Sequence, residues 1–158
     1  NPKSAIRWGM IRQFRAEDAR ACCELIHACV ERDPQIPAAL RERIRRTESP
    51  ESMLQRARSF YVVVYDSAEG ILGLAGLDMN EVRLLYISPD YQDRGIGGEL
   101  LAHLESMVPS TLFADIFVYS TVAAVDFYRS HGFSPGGEHV FDYDGEQLTT
   151  VFMTKATR

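Results

Sequence analysis

One stretch constrains this chain more than any other: Ser88-Pro89-Asp90-Tyr91-Gln92-Asp93-Arg94-Gly95-Ile96-Gly97-Gly98-Glu99-Leu100-Leu101. A strand-like run, Val82 to Ser88, leads into it. An apolar stripe at Ile96, Leu100, Leu101, Leu104 and Met107 leads out, spaced as one face of a helix from Gly95 to Met107. Glycine costs roughly 1 kcal/mol relative to alanine in a helix interior, and less near an end. Three of them at 95, 97 and 98 therefore need a reason. No good capping side chain stands directly before that turn, so the first amide N–H groups stay free. They sit at the positive end of the helix dipole, which favours an anion of pyrophosphate size. Arg94 can add a charge-assisted contact. Close packing of helix on sheet is the other explanation for the same glycines. The loop lacks the Lys-Ser/Thr ending of a nucleoside-triphosphate loop, and Leu100 stands where a dinucleotide fingerprint needs Gly or Ala.

The surrounding pattern predicts a single domain over residues 1–158, with its core from about Met10 to Met153. Gly9 to Phe14 reads as a strand, and Asp18 to Val30 as a helix with Ala21, Cys22, Leu25, Ile26 and Cys29 on one face. Ala38 to Thr47 is a second helix, with Arg41, Arg43, Arg45 and Arg46 read as a solvated face. Pro50 ends it, and Glu51 to Arg58 forms a further short helix. Phe60 to Tyr65, Ile71 to Met79 and Val82 to Ser88 follow as an antiparallel meander. Leu112 to Tyr119 is a strand, Val122 to Ser130 a helix, and Asp144-Gly145 turns a final hairpin of Phe133 to Tyr143 and Gln147 to Met153. The Val82–Ser88 strand, its helix and the Leu112–Tyr119 strand make a βαβ unit whose right-handed crossover sets two strands parallel. The expected fold is mixed α/β: a mostly antiparallel sheet of about seven strands, a parallel pair at its middle, and about four flanking helices.

Composition excludes several classes of function. The 158 residues are 46% hydrophobic with a net charge of −5, which argues against dominant disorder and against broad electrostatic binding to nucleic acid or anionic lipid. No apolar run approaches the roughly 20 residues of a membrane helix. Asn1-Pro2-Lys3-Ser4 opens no secretion-signal pattern. Cys22, Cys23 and Cys29 form neither a CxxC pair nor an even disulfide set; they read as small buried side chains in a reducing, cytoplasmic setting. His27, His103, His131 and His139 have no metal-ligand spacing, so no metal is expected.

Gln92-Asp93-Arg94-Gly95-Ile96-Gly97 resembles the Q/R-x-x-G-x-G/A motif of the GNAT superfamily of acyl-CoA-dependent N-acetyltransferases. Leu85 to Tyr91 resembles the end of that family's fourth strand and the loop after it. Ala124-Val125-Asp126-Phe127-Tyr128-Arg129-Ser130-His131-Gly132-Phe133 resembles its A-x-x-x-Y-x-x-x-G-F element. Both motifs stand in the family's order. The resemblance implies that Gln92, Asp93, Arg94, Gly95, Ile96, Gly97 and Gly98 hold the CoA diphosphate, mainly through main-chain N–H groups. It also implies that a splayed fourth strand offers main-chain groups of Leu85, Tyr86 and Ile87 to the pantetheine arm. Where the family often has Asn, seven residues before the motif tyrosine, this chain has Thr121.

Acetyl transfer to an amine needs a neutral amine, a stabilised carbonyl oxygen and a proton for the leaving thiolate. Tyr128 stands at the family's general-acid position, with core packing as its other role. Glu81, six residues before Ile87, stands where some members carry a basic glutamate, or else is an exposed turn residue. A main-chain N–H on the splayed strand would meet the oxyanion. His139 is a candidate for the acceptor side, and Asp142, Asp144 and Glu146 give the last hairpin an acidic rim suited to a cationic amine. The expected activity is direct transfer from acetyl-CoA to an amine, small molecule or protein; the competing possibility is a catalytically silent acyl-CoA-binding module. Dimers are common in the resembling family, which makes a homodimer an expectation.

Overall fold

The computed structural model describes residues 9–158; Asn1 to Ser4 lie outside the described residues. Seven strands form one sheet, β1 Met10–Gln13, β2 Tyr61–Ser67, β3 Gly70–Asp78, β4 Glu81–Ile87, β5 Asp115–Thr121, β6 Ser134–Tyr143 and β7 Glu146–Ala156, in the order β1-β2-β3-β4-β5-β7-β6. Every neighbouring pair is antiparallel except β4–β5. Five α-helices flank it, against an expected four: α1 Ala19–Glu31, α2 Ala38–Thr47, α3 Pro50–Ser59, α4 Ile96–Met107 and α5 Val125–Ser130.

Burial explains the placement. Val62, Val63, Val64 and Tyr65 are all buried, so β2 shows a continuous apolar run covered on both faces. Val62, Val64, Leu74 and Leu84 pack under Leu25, Ile26, Leu40 and Met53 of α1–α3. Val63, Ala75, Val82, Ile116 and Val118 pack under Leu100, Leu101 and Leu104 of α4, together with Tyr128 of α5. Each fully buried leucine stabilises by about 1.5–3 kcal/mol. In β5 the pattern alternates: Ile116, Val118 and Ser120 are buried while Phe117 and Tyr119 are only partly covered, so helices cover just one face. On the open face Phe117, Tyr119, Phe152, His139, Phe141 and Tyr143 form a chain of ring contacts, with centroids 4.6–6.3 Å apart.

Several boundaries differ from the sequence expectation. Pro50 does not end a region but starts α3, where its missing N–H is no loss; Ser49 caps the helix by accepting from Ser52 N. Leu112 and Phe113 are not in β5: their N–H groups donate to Pro109 O at 2.9 and 3.0 Å, and this turn delays the strand to Asp115. Val122–Ala124 is a tight 3₁₀ turn, so α5 begins only at Val125.

Candidate functional site

The parallel pair is joined only at its base. Glu81 is registered against Phe117 and Val82 against Val118; no residue of β5 is registered against 83–87. Asn80 pins that base, its O accepting from Phe117 N at 2.9 Å and its Nδ2 donating to Asp115 O at 3.0 Å. Above it the strands part. Ser88 N donates to Leu72 O, and antiparallel alternation from there turns the main chain of Tyr86 towards β3. The main chains of Leu85 and Ile87 turn the other way, into the gap. The expectation of free groups thus divides: Leu85 keeps its N–H and C=O, whereas Ile87 O already accepts from Cys29 Sγ and Gln92 Nε2, each at 3.2 Å. Burial pushes the Cys29 thiol up to about 11, so it is a weak nucleophile.

At the mouth of the gap lies the glycine turn. Gly95 is the residue before α4, with a left-handed φ of 90° and no side-chain cap. Among the described residues the N–H groups of Ile96, Gly97 and Gly98 have no hydrogen-bond partner outside the helix. A Cβ at Gly95 would meet nothing within 4 Å, leaving its backbone open to a ligand. Gly97 and Gly98 also answer to packing: a Cβ there would approach Phe127 Cε2 at 3.1 Å and His131 Nε2 at 2.7 Å. Asp93 takes a left-handed φ of 59°, and the Arg94 guanidinium lies 5.1 Å from the Tyr91 ring centroid.

Tyr128 belongs to the core on the α4–α5 side of the sheet. Its ring packs against Phe127 and Phe133 at 5.1 and 5.4 Å. It is 5% exposed, and burial first, then the Tyr86 phenol, hold its hydroxyl protonated well above the usual phenol range. Glu81 lies on the opposite face, in line with half-buried Phe117 and away from buried Val82. It begins β4 rather than sitting in a loose turn, and burial raises its carboxyl above the ordinary value against the opposing pull of Arg83. The β3–β4 register slips between Gly76 and Leu77, so Leu84 and Val82 face successive β3 residues and Arg83 is the extra residue of a bulge. Sequence reasoning missed that bulge. Thr121, at the end of β5, lines a cavity of about 260 Å³ with Asp33, Gln147 and Thr149. His139 packs tilted against Tyr119 and edge-on against Phe141 on the open aromatic face, and Asp144 pairs with Arg43 of α2. Among the described residues no group of His, Cys, Asp or Glu is arranged to hold a metal ion, and no helix is long and apolar enough to cross a membrane.

A sheet opened at its centre, with bare helix amides at the mouth of the opening, defines a protein built to grip a long phosphorylated carrier. Known proteins make that specific. The family model described as an acetyltransferase (GNAT) domain matches residues 27–155. The chain belongs to the GNAT acetyltransferase family, whose members transfer acetyl groups from acetyl-CoA. It superposes on the GCN5-related N-acetyltransferase from Rhodopseudomonas palustris with a TM-score of 0.86 at 20% identity, covering 94% of this chain and 95% of that one. The PaiA N-acetyltransferase of Thermoplasma acidophilum, solved in complex with coenzyme A, gives 0.72 at 21% identity, with 94% and 98% covered. The ribosomal-protein-alanine N-acetyltransferase of Brucella melitensis gives 0.69 at 22%, with 93% and 99% covered. At such identities these structures speak to the fold alone. No curated protein sequence matches the chain.

Proposed function

We propose that the chain is an N-acetyltransferase that passes the acetyl group of acetyl-CoA to an amine by direct attack, with donor and acceptor bound together. The observation that carries this is the two-pair joint between β4 and β5, which leaves Leu85 main-chain groups unpaired on the strand that leads into the free N–H groups of α4. The diphosphate would lie at the N–H groups of Ile96, Gly97 and Gly98, approached through the open backbone at Gly95, with Arg94 and the Gln92–Asp93 turn beside it. The pantetheine arm would run along Leu85 and Ile87, with Thr121 across the gap.

The amine enters from the α1–α3 face, where Glu81 removes its proton directly or through water. A carboxyl raised by burial is a better base at neutral pH than an exposed one. The neutral nitrogen then bonds to the thioester carbon and gives up its second proton to solvent, while a β4 main-chain N–H meets the developing oxyanion. As the C–S bond breaks, sulfur takes the proton of the Tyr128 hydroxyl. Glu81 and solvent return the amine's proton, restoring Tyr128. Acid and base thus lie on opposite faces of one opening, so neither neutralises the other.

Parallel calorimetric titrations with CoA, ATP and NAD test the carrier, and thiol release from acetyl-CoA with an amine panel tests the transfer. CoA alone should bind, and at least one amine should raise thiol release above hydrolysis. CoA binding with no responsive amine would favour a silent carrier-binding module instead.

A further inference from the structure

A cavity of about 400 Å³ lies between the end of α2, α3 and the β3–β4 turn, walled by Glu48, Gln55, Arg56, Phe60, Asp78 and Arg83. It opens on the same face of β4 as Glu81, and Arg83 joins the two: its Nη1 lies 3.2 Å from Asp78 Oδ2 and 3.9 Å from Glu81 Oε1. The volume suits part of a small molecule.

Its hydrogen-bonding groups are unevenly engaged. Glu48 is occupied: its carboxylate takes Arg56 Nη1 at 3.1 Å and Ser52 Oγ at 3.5 Å, and pairs with Arg56 Nη2 as well. The hydroxyls of Thr47 and Ser59 donate to Arg43 O and Gln55 O within their own helices. What remains is the Gln55 side-chain amide and guanidinium N–H. Arg56 Nε is buried without a partner, and Arg83 bonds Asp78 through Nη1 alone while lying 5.4 Å over the Phe60 ring. Against these donors stands one carboxylate with room left, Asp78. Half-exposed pairs such as Arg83–Asp78 are weak, so Arg83 is free to turn towards a ligand.

We infer that this cavity receives a carboxylate carried by the acceptor amine, with Arg83 as a specificity-determining residue that places the amine beside Glu81. The acceptor class is then a small amino-carboxylate rather than a polyamine. This rests on the proposed function, because it assigns a pocket to the same acceptor side.

The test compares α-amino acids with their decarboxylated amines and their carboxamides in the thiol-release assay, using the full chain and Arg83→Met. Wild type should prefer the carboxylated acceptors by roughly 10- to 100-fold in kcat/KM, the range of a charged hydrogen bond. Arg83→Met should raise KM for those acceptors by a similar factor and abolish their advantage over the decarboxylated amines, leaving the KM for acetyl-CoA unchanged, and Arg83→Lys should recover part of the loss. Equal turnover of carboxylated and decarboxylated acceptors by wild type, or an equal loss for both on substitution, overturns the assignment while transfer to amines stands. Thiol release that no amine stimulates overturns the assignment together with the proposed function.

Discussion

Replacing Tyr128 by phenylalanine separates chemistry from folding unusually well in this protein. The ring makes its contacts with Phe127 and Phe133 through carbon, and among the described residues the hydroxyl has no hydrogen-bond partner. Removing an oxygen with no partner costs little stability, less than about 1 kcal/mol, which for a chain of this size moves Tm by no more than roughly 4 °C. If the hydroxyl protonates the leaving sulfur, kcat should fall roughly 10²- to 10⁴-fold, equivalent to about 3–6 kcal/mol of barrier. The affinity for CoA should hardly move, because the diphosphate and pantetheine contacts proposed above do not involve Tyr128. Burial keeps the phenol protonated beyond its ordinary value of 10.0, so deprotonation of Tyr128 should not limit the wild-type rate below that pH. Steady-state thiol release, thermal unfolding and calorimetry with CoA on both proteins decide the matter. A turnover rate unchanged in Tyr128→Phe, with the fold and affinity intact, refutes the acid role and leaves Tyr128 as core packing.

Further predictions bear on the other parts of the site and the fold. Glu81→Gln should lower kcat/KM and remove the acidic limb of its pH profile, whose midpoint in wild type lies above the ordinary 4.5 because burial raises the group; a limb that survives in the variant assigns it elsewhere. Gly97→Glu should weaken CoA binding by putting both bulk and negative charge at the bare helix end, where a Cβ already meets Phe127 at 3.1 Å; unaltered affinity by calorimetry would move the diphosphate away from α4. Asp18 is held by Arg12 at 2.8 and 2.9 Å and by Arg15 N at 2.8 Å, and these bonds lower its folded-state pKa. Its contribution is therefore complete above the unfolded value near 3.8 and fades as the pH falls through the folded one. Asp18→Asn should cost about 1.5–3 kcal/mol at neutral pH, since Arg12 loses its two-bond carboxylate partner and keeps only Asp66 at 2.9 Å, and should flatten the loss of stability in acid.

The glycine turn, the βαβ unit and the final hairpin were legible because each has a local signal: free amides, a change of period, an Asp-Gly turn. Glu81 and Tyr128 are candidates only through the family resemblance, and the structure sets Glu81 on the α1–α3 face of the sheet and Tyr128 in the core on the α4–α5 face. The parting of β4 from β5 has no signal of its own, since Leu85, Tyr86 and Ile87 look the same whether a strand neighbours them or not. The Arg83 bulge was equally silent, because it depends on how two strands slip past each other. Leu112 and Phe113 misled for the opposite reason: their apolar character suits a strand, but the turn after Pro109 takes their N–H groups first.

The two-pair joint has a wider implication. Most sheets carry their unsatisfied rims on the outside, where a stranger can add a strand and begin an aggregate. Here a pair of rims faces inward, divided by a wedge whose apex is tied by Asn80. A border set inside the sheet is closed to a strand that would add along its outer edge. The protein thus keeps the stickiness of a raw sheet border within itself, for the carrier proposed above, and shows none of it to the proteins around it at that place.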